Sequence, residues 1–279
     1  MKTKRIQKRV LNWFGADTMV CGPYAELLSG CSWVGIPFCG GLSIVAHLVE
    51  TAREVVCNDK HRLAINLYRT IADPNTRREL LNRLEATPFH EEVLKQAQAL
   101  CKAIEWRVSD PIGVECAYWY FVTCWMGRSG KSGTTSEFEG GLAVRWDSGG
   151  GSSPLRFQTA VRSIQEFWGP ICERCSFLCR DWTEILAKVK DDPMCGLYCD
   201  PPWVDAGEKY TCKFEPRDHV HLATVLSQFK HTKVVVRYGE DPLILKLYEY
   251  GDGWHIREIT SRDQANGPMR ELCITNFET

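Results

Sequence analysis

Four consecutive residues, Asp200-Pro201-Pro202-Trp203, concentrate more chemistry than any other stretch of this chain. They follow the short apolar run Gly196 to Cys199, so an acid, a rigid turn and a large ring stand at the end of a predicted strand. Two prolines fix φ and remove two backbone donors, which leaves carbonyls able to accept hydrogen bonds, and Trp203 offers a flat face to a planar ligand. The exocyclic amine of a purine is a poor nucleophile because its lone pair is delocalised into the ring. If the Asp200 carboxylate and the Pro201 carbonyl each accept one of its two hydrogens, the nitrogen pyramidalises and exposes that lone pair to an electrophile.

Such a corner works only if a sheet holds it. The apolar run Val34 to Phe38 turns through Cys39, Gly40 and Gly41 into the periodic stretch Leu42 to Ala52, then into a second strand pattern, Glu54 to Asn58. Strand, glycine turn, helix and strand make a parallel α/β unit whose ligands sit at the carboxyl ends of the strands. From Lys60 to about Trp125 the pattern is helical, with Asp110-Pro111 as a cap opening one more helix. Gly127 to Pro154 is rich in glycine, serine and threonine and predicts loops around one hairpin, an inserted and mobile segment.

Alternation then resumes. A helix is predicted up to Trp168, strands at Cys175 to Cys179, Gly196 to Cys199 and Lys233 to Arg237, and helices from Asp181, from Asp218 and over Leu243 to Tyr248. Two last strand patterns, Trp254 to Thr260 and Glu271 to Asn276, have no helix between them, so at least one must pair antiparallel. The fold expected is α/β, with a mostly parallel sheet and an antiparallel strand near the C-terminus. The domain boundaries expected are 1–75 for one part of the sheet domain, 76–165 for the helical and loop-rich insert, and 166–279 for the rest.

Other signals fail on spacing. Gly130-Lys131-Ser132 lacks a phosphate-loop frame, because Gly127 leaves two intervening residues where four are needed. Cys172 and Cys175 have no second pair at zinc-ligand spacing, and His219 and His221 point to different faces of a helix, so no metal site is expected. A net charge of −1 gives no global pull toward nucleic acid or anionic lipid. Fourteen cysteines in a chain of 279 residues read as reduced thiols of a soluble, intracellular protein without a membrane span.

The chain resembles the Dam-like class of DNA adenine methyltransferases, and the resemblance runs nearly end to end. Trp13-Phe14-Gly15-Ala16-Asp17 resembles their tryptophan-glycine segment, Pro37-Phe38-Cys39-Gly40-Gly41-Leu42-Ser43 their glycine loop, and Asn58-Asp59 with Ile65 to Arg69 their ribose-binding acid and the helix after it. Cys179-Arg180-Asp181-Trp182 resembles the segment whose acid contacts the cofactor's adenine, Asp200 to Trp203 the catalytic corner, and Glu271 to Asn276 the last strand. The resemblance implies a Rossmann-like methyltransferase sheet with a target-recognition insert. It also implies S-adenosyl-L-methionine as cofactor, held by Trp13, Gly15, Asp17, Pro37, Phe38, Cys39, Gly40, Gly41, Asn58, Asp59, Asp181, Trp182 and Asp200. Gly40 and Gly41 would let the backbone approach the methionine portion, and Asp59 can accept from both ribose hydroxyls. Asp59 and Asp181 each precede a helical run, where capping can coexist with the ligand role.

The chain departs from the family at Asp17, where lysine is usual, at Ile36, where an acid is usual, and at Leu42, where a further glycine is usual. Trp203 replaces the commoner tyrosine and preserves stacking. Phe121, Val122 and Met126 stand where the family has asparagine, arginine and asparagine, so no target sequence carries over. None of the thirteen prolines precedes a cysteine, which sets aside the covalent route to carbon methylation of cytosine.

The expected partner is double-stranded DNA, bound by a monomer, with the target adenine flipped out of the stack. The candidates for holding DNA are Lys8, Arg9, Trp125, Arg128, Lys131, Arg145 and Arg156, and the resemblance implies a cytoplasmic, prokaryotic or phage-encoded enzyme. Two alternatives stand beside it: an amino-methyltransferase of the same fold acting on RNA, cytosine or a protein amide, and a catalytically silent nucleic-acid-binding module.

Overall fold

A computed structural model describes residues 6–13, 20–104, 113–128, 134, 138–147, 151–205, 207, 210–249, 253–262 and 267–279. In chain order the elements are α1 (Cys21–Leu27), β1 (Trp33–Ile36), α2 (Val45–Thr51), β2 (Glu54–Asn58), α3 (Arg62–Ala72), α4 (Pro74–Glu85), α5 (Glu91–Ala103) and α6 (Gly113–Met126). There follow α7 (Ser153–Ser163), a π-helical turn (Ile164–Trp168), α8 (Gly169–Cys172), β3 (Cys175–Leu178), α9 (Trp182–Leu186), β4 (Cys195–Cys199), α10 (Pro216–Leu226), β5 (Lys233–Gly239), α11 (Pro242–Glu249), β6 (His255–Arg262) and β7 (Pro268–Thr275). The chain divides into two compact units, Met1–Ala16 with Gly40–Ser43 and His61–Cys179, and Asp17–Cys39 with Ile44–Lys60 and Arg180–Thr279. The stretch expected as an insert, 76–165, lies inside the first unit.

Six strands of a seven-stranded sheet belong to the second unit, in the order β2-β1-β4-β5-β7-β6. Neighbours from β2 to β5 run parallel, whereas β7 is antiparallel to both β5 and β6. This is an α/β sheet consistent with a Rossmann-like fold, and both C-terminal strands join the antiparallel pairing. Val234, Val235, Val236 and Leu197 are fully buried, as continuous apolar runs in central parallel strands require. Strand β1 stops at Ile36 rather than Phe38 because Pro37 has no N–H for the ladder. The strand order reverses between β1 and β4, the place where open α/β sheets leave a crevice at their carboxyl ends.

The first unit is mainly helical. Helix α6 carries apolar residues all round, and it is buried accordingly, from Tyr120 to Met126, against α3, α4 and α5. Residues 6–11 pack within this unit: Leu11 is fully buried, Gln7 N–H donates to Ser163 Oγ and Trp168 Nε1–H donates to the Gln7 carbonyl. In place of a regular hairpin, the described residues of the glycine-rich stretch show an isolated bridge, Gly127 to Leu142. The expected cap at Asp110-Pro111 lies outside the described residues. Among the described residues no helix is long and apolar enough to cross a membrane.

Candidate active site

Strand registers bring the charges of the corner together. Cys199 on β4 pairs with Val236 on β5, so Asp200, one residue on, comes beside Arg237. On the other side of β5, Arg237 pairs with Cys273, and Glu271 two residues away lies on the same face of β7, within diagonal reach of a long side chain. Arg237 Nε donates to Glu271 Oε2 at 2.7 Å and Nη2 to Oε1 at 2.6 Å, a two-pronged pair, while Nη1 donates to Asp200 Oδ2 at 3.0 Å. The guanidinium carbon lies 5.6 Å from the Trp203 ring centre and 5.9 Å from that of Tyr24. Arg237 and Glu271 are buried, at 2% and 0% exposure.

One cation therefore sits between two carboxylates. Burial pushes the Asp200 carboxyl above its ordinary range, even though 27% of the side chain reaches solvent, and Glu271 pushes the same way. Arg237 and the Trp203 indole pull it back down. Burial would weaken the charge on Arg237, but its two acidic neighbours hold it firmly protonated.

Trp203 is less free than its sequence suggests. Its Nε1–H donates to Asp200 Oδ1 at 3.4 Å, and its ring lies so close to Gly239 that a β-carbon there would come within 2.6 Å of it. Its carbonyl accepts from Gly207 N–H at 2.7 Å, folding the next loop back, and Gly207 has no room for a side chain because the Phe214 carbonyl would be 2.3 Å from its β-carbon. Among the described residues no group donates to the carbonyl of Pro201 or of Pro202, so the acceptors expected of the turn are unspent. Tyr210, on the same loop, lies within electrostatic reach of Asp200, Arg237 and Asp59, and burial drives its phenol pKa up.

The loops after β1, β2 and β3 are joined by one residue. The side chain of Asn58, fully buried, donates to the carbonyls of Pro37 at 3.0 Å and Arg180 at 3.1 Å and accepts from Arg180 N–H at 3.0 Å. Asn58 was expected against a ligand; its amide is instead spent on holding the backbone, together with a bond from Cys39 N–H to its own carbonyl. Asp59 follows directly and is half-buried. Asp181 caps α9 through Oδ1, which accepts from Thr183 N–H and Oγ1, while Oδ2 accepts from Lys60 Nζ at 3.0 Å. Phe38, Trp182 and Phe214 form an aromatic cluster with ring centres 5.6–6.3 Å apart.

In the first unit Trp13 packs against Gly40 and Gly41, where added β-carbons would lie 3.2 and 3.0 Å from it. Gly40 has φ +44°, and Leu42 is itself left-handed with φ +61°. The departure noted in the sequence is thus a strained leucine, kept in place by complete burial. Gly15, Asp17 and Lys131 lie outside the described residues. Lys8, Arg128, Arg145 and Arg156 are exposed and Arg9 is partly so. Trp125 was expected on DNA but is 3% exposed on the apolar helix α6, with Nε1–H donating to the Val10 carbonyl. Trp146, beside Arg145, presents its indole to solvent at 86% exposure.

No family model matches this chain, and no curated protein matches it. Asp200 keeps unused lone pairs on both oxygens, and the carbonyl of the buried Pro201, next in the chain, takes no donor among the described residues. The local surplus of negative charge opposes an anionic nucleophile and favours one on which positive charge develops. Sequence reasoning missed Arg237, Tyr24 and Tyr210, and it named Glu271 only as the start of a strand. The available signal was a charge at the end of the apolar run Lys233 to Arg237 and another opening Glu271 to Asn276.

Proposed function

We propose that the chain is an S-adenosyl-L-methionine-dependent DNA adenine methyltransferase with a Rossmann-like methyltransferase fold. The observation that carries this reading is the Asp200-Pro201-Pro202-Trp203 turn on the end of β4, at the reversal of strand order, with Asp200 in a buried cluster of net negative charge. In this reading Asp200 and the Pro201 carbonyl accept the two amino hydrogens, which orients the nitrogen lone pair. Asp200 also stabilises the positive charge that grows on that nitrogen as it is alkylated. A general base is not required, since the alkylated nitrogen loses its proton easily.

The residues present fit the cofactor. Asp59 offers acceptors for ribose hydroxyls, Asp181 Oδ2 retains capacity beyond Lys60, the half-buried Phe38, backed by the buried Trp182 and Phe214, offers apolar aromatic surface to a purine, and the negative charge around Asp200 suits a sulfonium. When bound, the cofactor supplies an electrophilic methyl group. The exposed Lys8, Arg128, Arg145 and Arg156 are the candidates for phosphate contacts to double-stranded DNA, and a base within a duplex must leave the stack to meet the acceptor pair.

Incubation with radiolabelled cofactor and unmethylated DNA, followed by digestion to nucleosides, tests the reading: label is expected in N6-methyladenosine. Label confined to RNA or protein, or none at all, overturns it. Asp200→Ala is expected to slow transfer by at least about 10²-fold while leaving DNA binding close to normal.

A further inference from the structure

We propose that Arg237 is a positioning residue for Asp200: Glu271 fixes the guanidinium with two hydrogen bonds, and the remaining arm holds Asp200 ionised and in one orientation. The inference rests on reading the corner as an amine-binding site. Its geometry is distinctive because Arg237 is itself buried at 2% exposure and Glu271 at 0%, so neither belongs to a solvated surface pair. Both prongs toward Glu271 are short, at 2.6 and 2.7 Å, whereas the single contact to Asp200 is 3.0 Å. Glu271 is thus the anchor and Asp200 the group acted upon. Nearby rings limit the guanidinium further, with Trp203 and Tyr24 both within cation–π range.

The groups facing Asp200 come from every neighbouring element. Arg237 and Tyr238 belong to β5, Glu271 to β7, Tyr198 and Cys199 to β4, Tyr24 to α1, and Trp203 and Tyr210 to the loop after β4. Among these Arg237 is the single cation. Burial raises the pKa of every phenol and thiol in this set, so none of them supplies negative charge at neutral pH. An Asp200 deprived of Arg237 retains the full effect of burial with nothing of like strength to oppose it. Its proton is then held to higher pH, and a protonated carboxyl gives up acceptor capacity and stabilises a developing cation poorly.

The double variant Arg237→Met/Glu271→Gln separates this role from net charge, because it removes one charge of each sign and leaves the cluster's total unchanged. Asp200 is followed directly by carbon NMR of protein labelled at aspartate carboxyl carbons, its resonance being the one missing from Asp200→Asn. In the double variant the Asp200 midpoint is expected to rise, because losing Arg237 raises it by more than losing Glu271 lowers it, and the acid limb of methyl transfer to move up with it. Arg237→Lys keeps a charge but cannot satisfy Glu271 with two prongs and reach Asp200 as well. It is expected to hold the midpoint closer to wild type while slowing transfer. An unchanged Asp200 midpoint in the folded double variant overturns the proposal. If the double variant does not fold, Arg237→Lys with wild-type rate and wild-type midpoint overturns it. A midpoint that moves in a protein with no transferase activity toward any substrate defeats the methyltransferase reading and leaves the Arg237–Asp200 coupling standing.

Discussion

The two ends of the second unit's candidate site are held by opposite means. At the loops after β1, β2 and β3 the tie is the neutral amide of Asn58, buried completely and bonded to Pro37 and Arg180. At the loop after β4 the tie is a buried guanidinium between two acids. A neutral amide suits the first task because only backbone position has to be fixed, and burying it costs little once its hydrogen bonds are made. The second task is to fix a side chain and its charge, which only another charge can do. The desolvation that this requires makes the site sensitive to the loss of any one member.

That contrast is open to attack by substitution. Arg237→Met alone leaves Glu271 buried without a partner and is expected to cost about 3–5 kcal/mol in urea denaturation, whereas adding Glu271→Leu should restore part of the loss. A single substitution that proved nearly neutral would remove the distinction altogether. Asn58→Ala strands the carbonyls of Pro37 and Arg180 and is expected to cost about 2–3 kcal/mol by the same measurement. If it costs more than Arg237→Met, the ranking of the two ties reverses.

The smallest effect belongs to Lys60→Ala. Lys60 is 60% exposed, so its bond to Asp181 contributes under about 1 kcal/mol. Its signature is in pH. Burial raises the Asp181 carboxyl pKa, but bonds from Thr183 and Lys60 outweigh this and hold it below the ordinary value. The stabilisation is therefore complete above the ordinary carboxylate range and is lost as pH falls through the lowered value. Lys60→Ala should shrink that acid-induced loss in melts recorded across pH 2–5, the range about the ordinary carboxylate value.

Much of this sheet is legible in the residues. Strand β2 spans the expected Glu54–Asn58, and the turn after β4 begins where Asp200 predicts, because apolar runs ended by proline or an acid leave few other ways to fold. The Arg237–Glu271 pair is not legible in the same way: its partners are 34 residues apart and meet only through the register of β5 on β7. Asn58 shows the converse failure. Its place at a strand end was readable, but the direction of its amide, inward to two loops, depends on tertiary contacts that periodicity does not encode. Trp125 repeats the lesson at larger scale, since burial of α6 on several sides outweighs the basic and glycine-rich sequence that follows it.

Gly239 gives the corner a back wall made of bare main chain. With the Trp203 ring resting where a β-carbon would stand, a single added methyl group would act as a wedge, tilting the indole and lengthening its bond to Asp200. The acid would then lose a hydrogen-bond donor without any charged residue having been touched. Shape at the rear of the sheet edge is thereby transmitted to basicity at its front.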